Sequence, residues 1–162
     1  MGTRSLTYVF DEVGPLVCVY RQFDGYPDVH GRELRDILSG VSIGNGIPGE
    51  MVTYDSGGPK WVGGRRPMFN RVEELAAVLV RELKARHDIG GVYLVPPEWP
   101  PVDHGQEYEW FVFGRTGDKE ATVYYRSPWE DKGELKHWMG PRGVDEVPEV
   151  LKELTEGVEF VP

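Results

Sequence analysis

Leu16-Val17-Cys18-Val19-Tyr20-Arg21-Gln22-Phe23 runs directly into Asp24-Gly25-Tyr26-Pro27-Asp28-Val29-His30-Gly31, and this one stretch holds a strand, its end and the start of a helix. The first part is an apolar, β-branched run with the look of a buried strand. Asp24-Gly25-Tyr26-Pro27 breaks it, since Gly permits positive φ and Pro presets the next bend. A short helix is expected from about Val29 to Leu38, with Leu34, Ile37 and Leu38 at i, i+3, i+4, Asp28 capping its start and Gly40 its end. Upstream, Leu6 to Phe10 is a second β-rich segment. The spacer Asp11-Glu12-Val13-Gly14-Pro15 has hairpin chemistry, so the two strands are expected to pair antiparallel.

Downstream, Gly40 to Phe69 changes character. Gly and Pro recur every few residues and apolar positions lose their period, so residues 41–69 read as a long loop or lid with a short strand around Glu50 to Tyr54. The clearest helix follows: Val72, Leu75, Ala76, Leu79, Val80 and Leu83 trace one apolar face. Asn70 stands at its N-cap position, and Lys84, Arg86 and His87 suit the helix dipole at its other end. Three β-rich runs come next, Gly91 to Val95, Glu107 to Phe113 and Ala121 to Arg126. In the second, apolar residues occupy both alternations, so both faces are expected to be covered. Val147, Val150, Leu151 and Leu154 indicate a short closing helix within 127–162. The order ββα–loop–αβββ–α predicts one α+β domain over 1–162, a mostly antiparallel sheet carrying one long and two short helices.

Composition bounds the function. The 162 residues fit one domain, and glycine (21) with proline (13) stays under the roughly 25–30% of a low-complexity chain. Eighteen basic against twenty-seven acidic residues give a net charge of −9, which argues against duplex nucleic acid as partner, because duplexes are held chiefly by neutralising phosphates. No apolar run approaches the ~20 residues of a membrane span and no signal-like start is present, so a soluble, cytoplasmic protein without a membrane partner is expected. The single cysteine, Cys18, lies in the apolar strand and reads as structural. The four histidines are scattered, no metal-ligand spacing occurs, and neither a cofactor nor a catalytic motif is predicted. Asp103-His104 is the one adjacent Asp–His pair, and a surface turn is its simplest reading.

The polar–aromatic density around Tyr20 to Gly31 makes it the candidate site. Arg21, Gln22, Asp24 and His30 sit where a strand meets a helix, with Tyr26 available to stack. Arg65 and Arg66, flanked by glycines, can grip phosphates bidentately, and Tyr54 or Trp61 can stack on a base. The structural alternative is that Arg21 pairs with Asp24 or Glu33 and locks the junction. Three functions follow. The first is an anti-defence binder that sequesters a small, anionic, nucleotide-like molecule such as a host defence signal. The second is an inhibitor of a host protein, steered by net negative charge and anchored by Trp99, Trp129 or Trp138. The third is a phosphoesterase-like enzyme using His30 or His104 with Asp24, Asp28 or Asp103.

Met1-Gly2-Thr3-Arg4-Ser5-Leu6-Thr7, then Tyr20-Arg21-Gln22-Phe23-Asp24-Gly25-Tyr26-Pro27 and His30-Gly31 with Glu33-Leu34, resemble a widespread family of small phage and prophage proteins. Its members open with MGTRSLT and carry YRQFDGYP, then a glycine and a helix. The likeness continues more loosely through the long helix, Gly91-Val92-Tyr93-Leu94-Val95-Pro96 and Gly105-Gln106-Glu107-Tyr108, to about Tyr125. The tail after Arg126 is unmatched. Family members often read Asp-Cys-Gly-Glu-Glu-Tyr where this chain has Asp103-His104-Gly105-Gln106-Glu107-Tyr108, so no thiol chemistry carries over. Many also read Asn-Gly-Met-Gly where this chain has Phe69-Asn70-Arg71-Val72. The resemblance implies an accessory protein of phages and their hosts, not a virion building block or a housekeeping enzyme, and transfers no catalytic residue.

Overall fold

Strand β1 (Ser5–Phe10) is buried along its whole length, because both of its alternating faces meet a layer of core. The computed structural model describes residues 2–46, 52–55, 58–61, 68–87 and 89–155, with the backbone alone for 52–55 and 58–61. β1 turns into β2 (Pro15–Arg21) and pairs with it antiparallel, Ser5 opposite Arg21 and Tyr8 opposite Cys18. The turn is held by the Asp11 carboxylate, whose Oδ1 accepts the Val13 and Gly14 N–H groups at 2.8 and 3.0 Å. Aspartate thus does here what the glycine and proline of the spacer alone would not.

A π-helical turn, Pro27–Gly31, leads into α1 (Arg32–Leu38). The helix therefore starts earlier than the sequence indicates, with Tyr26 rather than Asp28 at its cap and Pro27 in the first position. Gly40, at φ 72°, follows α1 as expected. The 41–69 excursion is not a plain loop. It contains β3 (Ser42–Gly44), β4 (Val52–Asp55), β5 (Gly58–Trp61) and β6 (Met68–Asn70), with β3 parallel to β6 and β4 antiparallel to β5. The strand expected near Glu50 to Tyr54 is β4.

Helix α2 (Arg71–Arg86) buries Val72, Leu75, Ala76, Leu79 and Leu83 of the predicted stripe, and its sixth member, Val80, is half-buried against the same core. Asn70 holds the cap position without capping. Its Oδ1 accepts the Gly46 N–H, while Glu74 Oε1 accepts the Asn70 N–H, both at 2.8 Å. Then come β7 (Val92–Val95), β8 (Tyr108–Phe113), β9 (Thr122–Arg126) and β10 (Lys136–Met139), the last unforeseen. The expected closing helix is the 3₁₀ segment Glu149–Leu154, and a second 3₁₀ segment, Val144–Glu146, precedes it.

The main sheet has six strands in the order β10-β9-β8-β1-β2-β7, antiparallel except for β1 and β8, which run parallel with Ser5 opposite Tyr108. This is an α+β domain with an open, mostly antiparallel sheet. One face, through Val9, Val19, Trp110, Val112 and Val123, packs on the two helices. The other, through Leu6, Tyr8, Phe10, Phe111 and Tyr124, is covered by Trp99, by Val147 between the two C-terminal 3₁₀ segments, and by Leu151 in the second. Full burial of each such side chain contributes about 1.5–3 kcal/mol, so coverage of both faces is the main source of stability. The edge strand β7 is blunted against pairing. The Val92 N–H bonds Gly90 O at 2.9 Å, Lys84 Nζ lies 3.4 Å from Val92 O, and Pro96-Pro97 end the strand without donors.

Two indoles clamp the strand-to-helix junction. Trp110 Nε1 donates to Gly25 O at 2.9 Å and Trp138 Nε1 to Gly31 O at 2.8 Å. Gly31 has no room for a side chain, as a Cβ there would lie 2.6 Å from Trp138 Cζ2 and 2.9 Å from Trp110 Cη2. Gly31→Ala is accordingly expected to lose about 1–3 kcal/mol through overpacking, read by urea denaturation. An unchanged midpoint would mean that the indoles yield.

Candidate functional site

At the junction the polar residues of the sequence motif turn inward. Arg21 closes β2 at 1% exposure, and its Nη1 donates to Glu33 Oε2 at 2.6 Å and to His30 Nδ1 at 2.8 Å, while Nε donates to Phe23 O. Because arginine only donates, His30 Nδ1 must accept, which puts the imidazole proton on Nε2, 2.7 Å from Thr7 Oγ1. Burial, the Arg21 guanidinium and, more weakly, His87 hold His30 well below its ordinary 6.5. His30 is thus a neutral, fully buried hydrogen-bond bridge, and its edge meets Trp110 at 5.4 Å between ring centres.

A titration consequence follows. Below about pH 6.5 the unfolded chain takes up a proton at His30 that the folded protein refuses, so this residue's contribution is fully present above that pH and lost as pH falls. Stability of the wild type is expected to fall faster than that of His30→Gln between neutral pH and about pH 5, by up to about 1.4 kcal/mol per pH unit. Parallel pH curves in urea unfolding would contradict this assignment.

These contacts correct the role expected of two site residues. Arg21 and His30 bind each other, Thr7, Glu33 and Phe23 O, and neither is presented to a ligand. Glu33 is one of the two partners that the structural alternative names. Gln22 is half-buried with its N–H on Gly91 O, and Asp24 is exposed at φ 58°. Tyr54 and Trp61 stand on the β4–β5 hairpin, opposite Pro59 and Val52, but their side chains lie outside the described residues, as do Arg65 and Arg66 altogether. Of the expected set, Tyr26 alone is placed by the described side chains in a cavity.

That cavity, of about 570 Å³, opens at the end of the sheet where β1 and β8 begin and β9 ends. Three rings line it, Tyr26, Tyr108 and Trp129, together with three carboxylates, Asp28, Glu107 and Glu130. The parallel pairing of β1 with β8 and the antiparallel pairing of β8 with β9 bring these distant segments together, since Tyr108 lies opposite Ser5 and Glu109 opposite Arg126. Tyr26 and Asp28 are set beside them by the π-helical turn, whose His30 N–H returns to Tyr26 O at 2.9 Å. The remaining side chains with polar groups, Thr3 and Ser127, are neutral hydroxyls, so no lining residue is cationic. The local field is negative. The Tyr108 hydroxyl is pushed up first by burial, then by the charges of Glu130 and Glu107, whereas Lys136 opposes this with its ammonium held 2.7 Å from Asp131.

Trp129 is 56% exposed at the rim. The other two tryptophans expected as anchors are not: Trp99 packs on Tyr8, Phe10 and Phe111, and Trp138 on Trp110 and Tyr125. The sequence signal for this groove was therefore an exposed indole in the tail, without the strand pairing that gives it neighbours.

Other polar residues are absorbed structurally. Asp103 Oδ1 accepts the Gly105 N–H at 2.7 Å and the His104 N–H bonds Gln106 Oε1 at 2.7 Å, which makes Asp103-His104 a surface turn. Burial pushes the Cys18 thiol up to about 12, against a smaller opposing effect of its bond with Tyr8, so it stays an unreactive core thiol. Among the described residues no three His, Cys, Asp or Glu side chains are grouped so as to hold a metal ion, and no helix is long and apolar enough to cross a membrane. No protein-family model, curated protein or solved structure matches the chain.

Proposed function

We propose that this protein is a binding module that captures a basic surface of another protein through the groove at Tyr26, Tyr108 and Trp129. The observation that carries the reading is the pairing of three rings with three carboxylates and no cation in one concavity. Aromatic faces attract cations by about 0.5–2 kcal/mol, and the carboxylates add complementary charge. The net charge of −9 steers a basic partner toward the protein from a distance. Taken with the resemblance of the first seven residues and the Tyr20–Pro27 block to phage and prophage proteins, the reading makes the protein an accessory factor that inhibits a basic host protein in the cytoplasm. The alternative, capture of a small anionic nucleotide, would require an anion to approach Asp28, Glu107 and Glu130, and its remaining arginine candidates are Arg65 and Arg66.

The test is retention on an immobilised array of basic, neutral and acidic peptides. The wild type is expected to retain basic peptides at low salt and to release them as salt rises, because exposed charges are screened. Trp129→Ala and the triple variant Asp28→Asn, Glu107→Gln, Glu130→Gln are each expected to cut retention at least about tenfold, with melting temperatures close to wild type because these side chains are exposed. Retention that survives both variants would overturn the reading. Binding of nucleotides in place of basic peptides would restore the anionic one.

A further inference from the structure

We infer that the chain carries a separate binding site, centred on Arg4, for the phosphate monoester of a flat aromatic group, the class to which nucleoside monophosphates belong. It lies on the sheet face away from the helices and does not rest on the basic-partner reading. Among the described residues, every buried or half-buried cation but one is satisfied. Arg21, Arg126, Lys136, Arg142 and Lys152 pair with carboxylates, and Lys84 donates to Gly90 O and Val92 O. Arg4 is the exception: it is half-buried, and its guanidinium has no hydrogen-bonding or ion-pair partner among them. Its backbone is fixed all the same, because Arg4 O accepts the Glu107 and Tyr108 N–H groups at 2.9 and 3.3 Å. A guanidinium keeps its charge at any working pH and presents paired donors in one plane, which match two oxygens of a phosphate.

The surroundings supply rings. Gly105, in the left-handed region at φ 77°, lets the Arg4 side chain lie across the turn, since a Cβ there would stand 2.8 Å from Arg4 Nη1. The adjacent His104 ring lies 6.4 Å from the Tyr20 ring, and Tyr20 lies 6.2 Å from Tyr93. Tyr20 stands opposite Leu6 on β1 and opposite Tyr93 on β7, and Arg4 precedes Leu6 by two, so strand alternation places Arg4, Tyr20 and Tyr93 on one face. Tyr93 is 47% exposed, which leaves ring surface on which a base can stack. Lys84 Nζ, 6.0 Å from the Tyr93 ring, adds a second cation beyond the rings. The nearby carboxylates are engaged elsewhere: Asp103 accepts the Gly105 N–H and Glu107 lines the groove. Cation and rings together, rather than either alone, define the ligand class.

The experiment is calorimetric titration of the full chain with adenosine monophosphate, adenosine, ribose phosphate and inorganic phosphate. Adenosine monophosphate is expected to bind at least about tenfold more tightly than each of the other three, because it alone offers both phosphate and base. Arg4→Gln is expected to weaken it at least about tenfold and to keep the melting temperature of the wild type, since that guanidinium has no partner to lose. Tyr93→Ala is expected to weaken adenosine monophosphate and leave ribose phosphate unchanged, while Trp129→Ala, in the groove, changes neither. Absence of binding, or equal binding by wild type and Arg4→Gln, would overturn the site. Inorganic phosphate bound as tightly as adenosine monophosphate would overturn the assignment to an aromatic ester. Each of these failures leaves the basic-partner reading untouched, because that reading is tested on peptides.

Discussion

Arg21→Ala is expected to lower the stability of this protein by about 3–5 kcal/mol, the usual cost of removing one partner from a buried ion pair. With typical domains holding about 5–15 kcal/mol in all, much of the folded population is at stake. Three groups lose their donor at once: the Glu33 carboxylate, whose side chain is 15% exposed, the His30 Nδ1 and the Phe23 carbonyl. The Glu33 contact joins β2 to α1, so the loss falls on the strand-to-helix junction itself. Arg21→Lys is expected to fall between the two, because one ammonium cannot reproduce the fork that reaches three acceptors. The measurement is urea denaturation with an unchanged m-value. A loss below about 1 kcal/mol would mean that Arg21 is an adjustable surface residue after all, as the anion-binding reading requires.

The second large effect is expected on the opposite face of the sheet. Glu109 has no exposed surface, and its carboxylate accepts Arg126 Nε at 2.6 Å and Gln106 Nε2 at 3.0 Å. Arg126→Met leaves that carboxylate in the core with the Gln106 amide as its remaining donor. About 3–5 kcal/mol is again expected to be lost. The double variant Glu109→Leu, Arg126→Met is expected to recover most of this, since a buried pair replaced by apolar residues of similar volume is often neutral or better. A double variant as unstable as the single one would place the cost in packing, for instance of Arg126 against the Phe111 ring 5.8 Å away.

What could be read in the sequence follows the range of the interactions. The α2 stripe from Val72 to Leu83 and the β1–β2 hairpin are local, and their periodicity and turn chemistry suffice. The parallel pairing of β1 with β8 joins residues about a hundred positions apart, and no local pattern distinguishes it from an antiparallel one. β10 escaped because Lys136, His137, Trp138 and Met139 show no apolar run. Of the two small sheets, β4 alone is foreseen, and β3, β5 and β6 escape because strands of three or four residues are too short for a period.

The junction was legible in chemistry but not in direction. Arg21, His30 and Glu33 are visible as a polar cluster, yet whether such residues face solvent or each other is decided by the layer above them, here α1 and the two indoles. The groove was illegible for the opposite reason. Each of its parts is an ordinary surface residue, and only strand pairing makes Tyr26, Glu107, Tyr108, Trp129 and Glu130 neighbours. The YRQFDGYP block thus serves the groove indirectly: Arg21 and Gly25 are fixed within the core so that Tyr26 and Asp28 stand at its rim.

The most direct measurement is nuclear magnetic resonance of the tryptophan indole N–H groups during titration with an arginine–glycine peptide. The Trp129 resonance is expected to shift progressively with peptide, while those of Trp110 and Trp138, bonded to Gly25 O and Gly31 O, stay in place. A Trp129 resonance that does not move as the peptide binds would contradict the account.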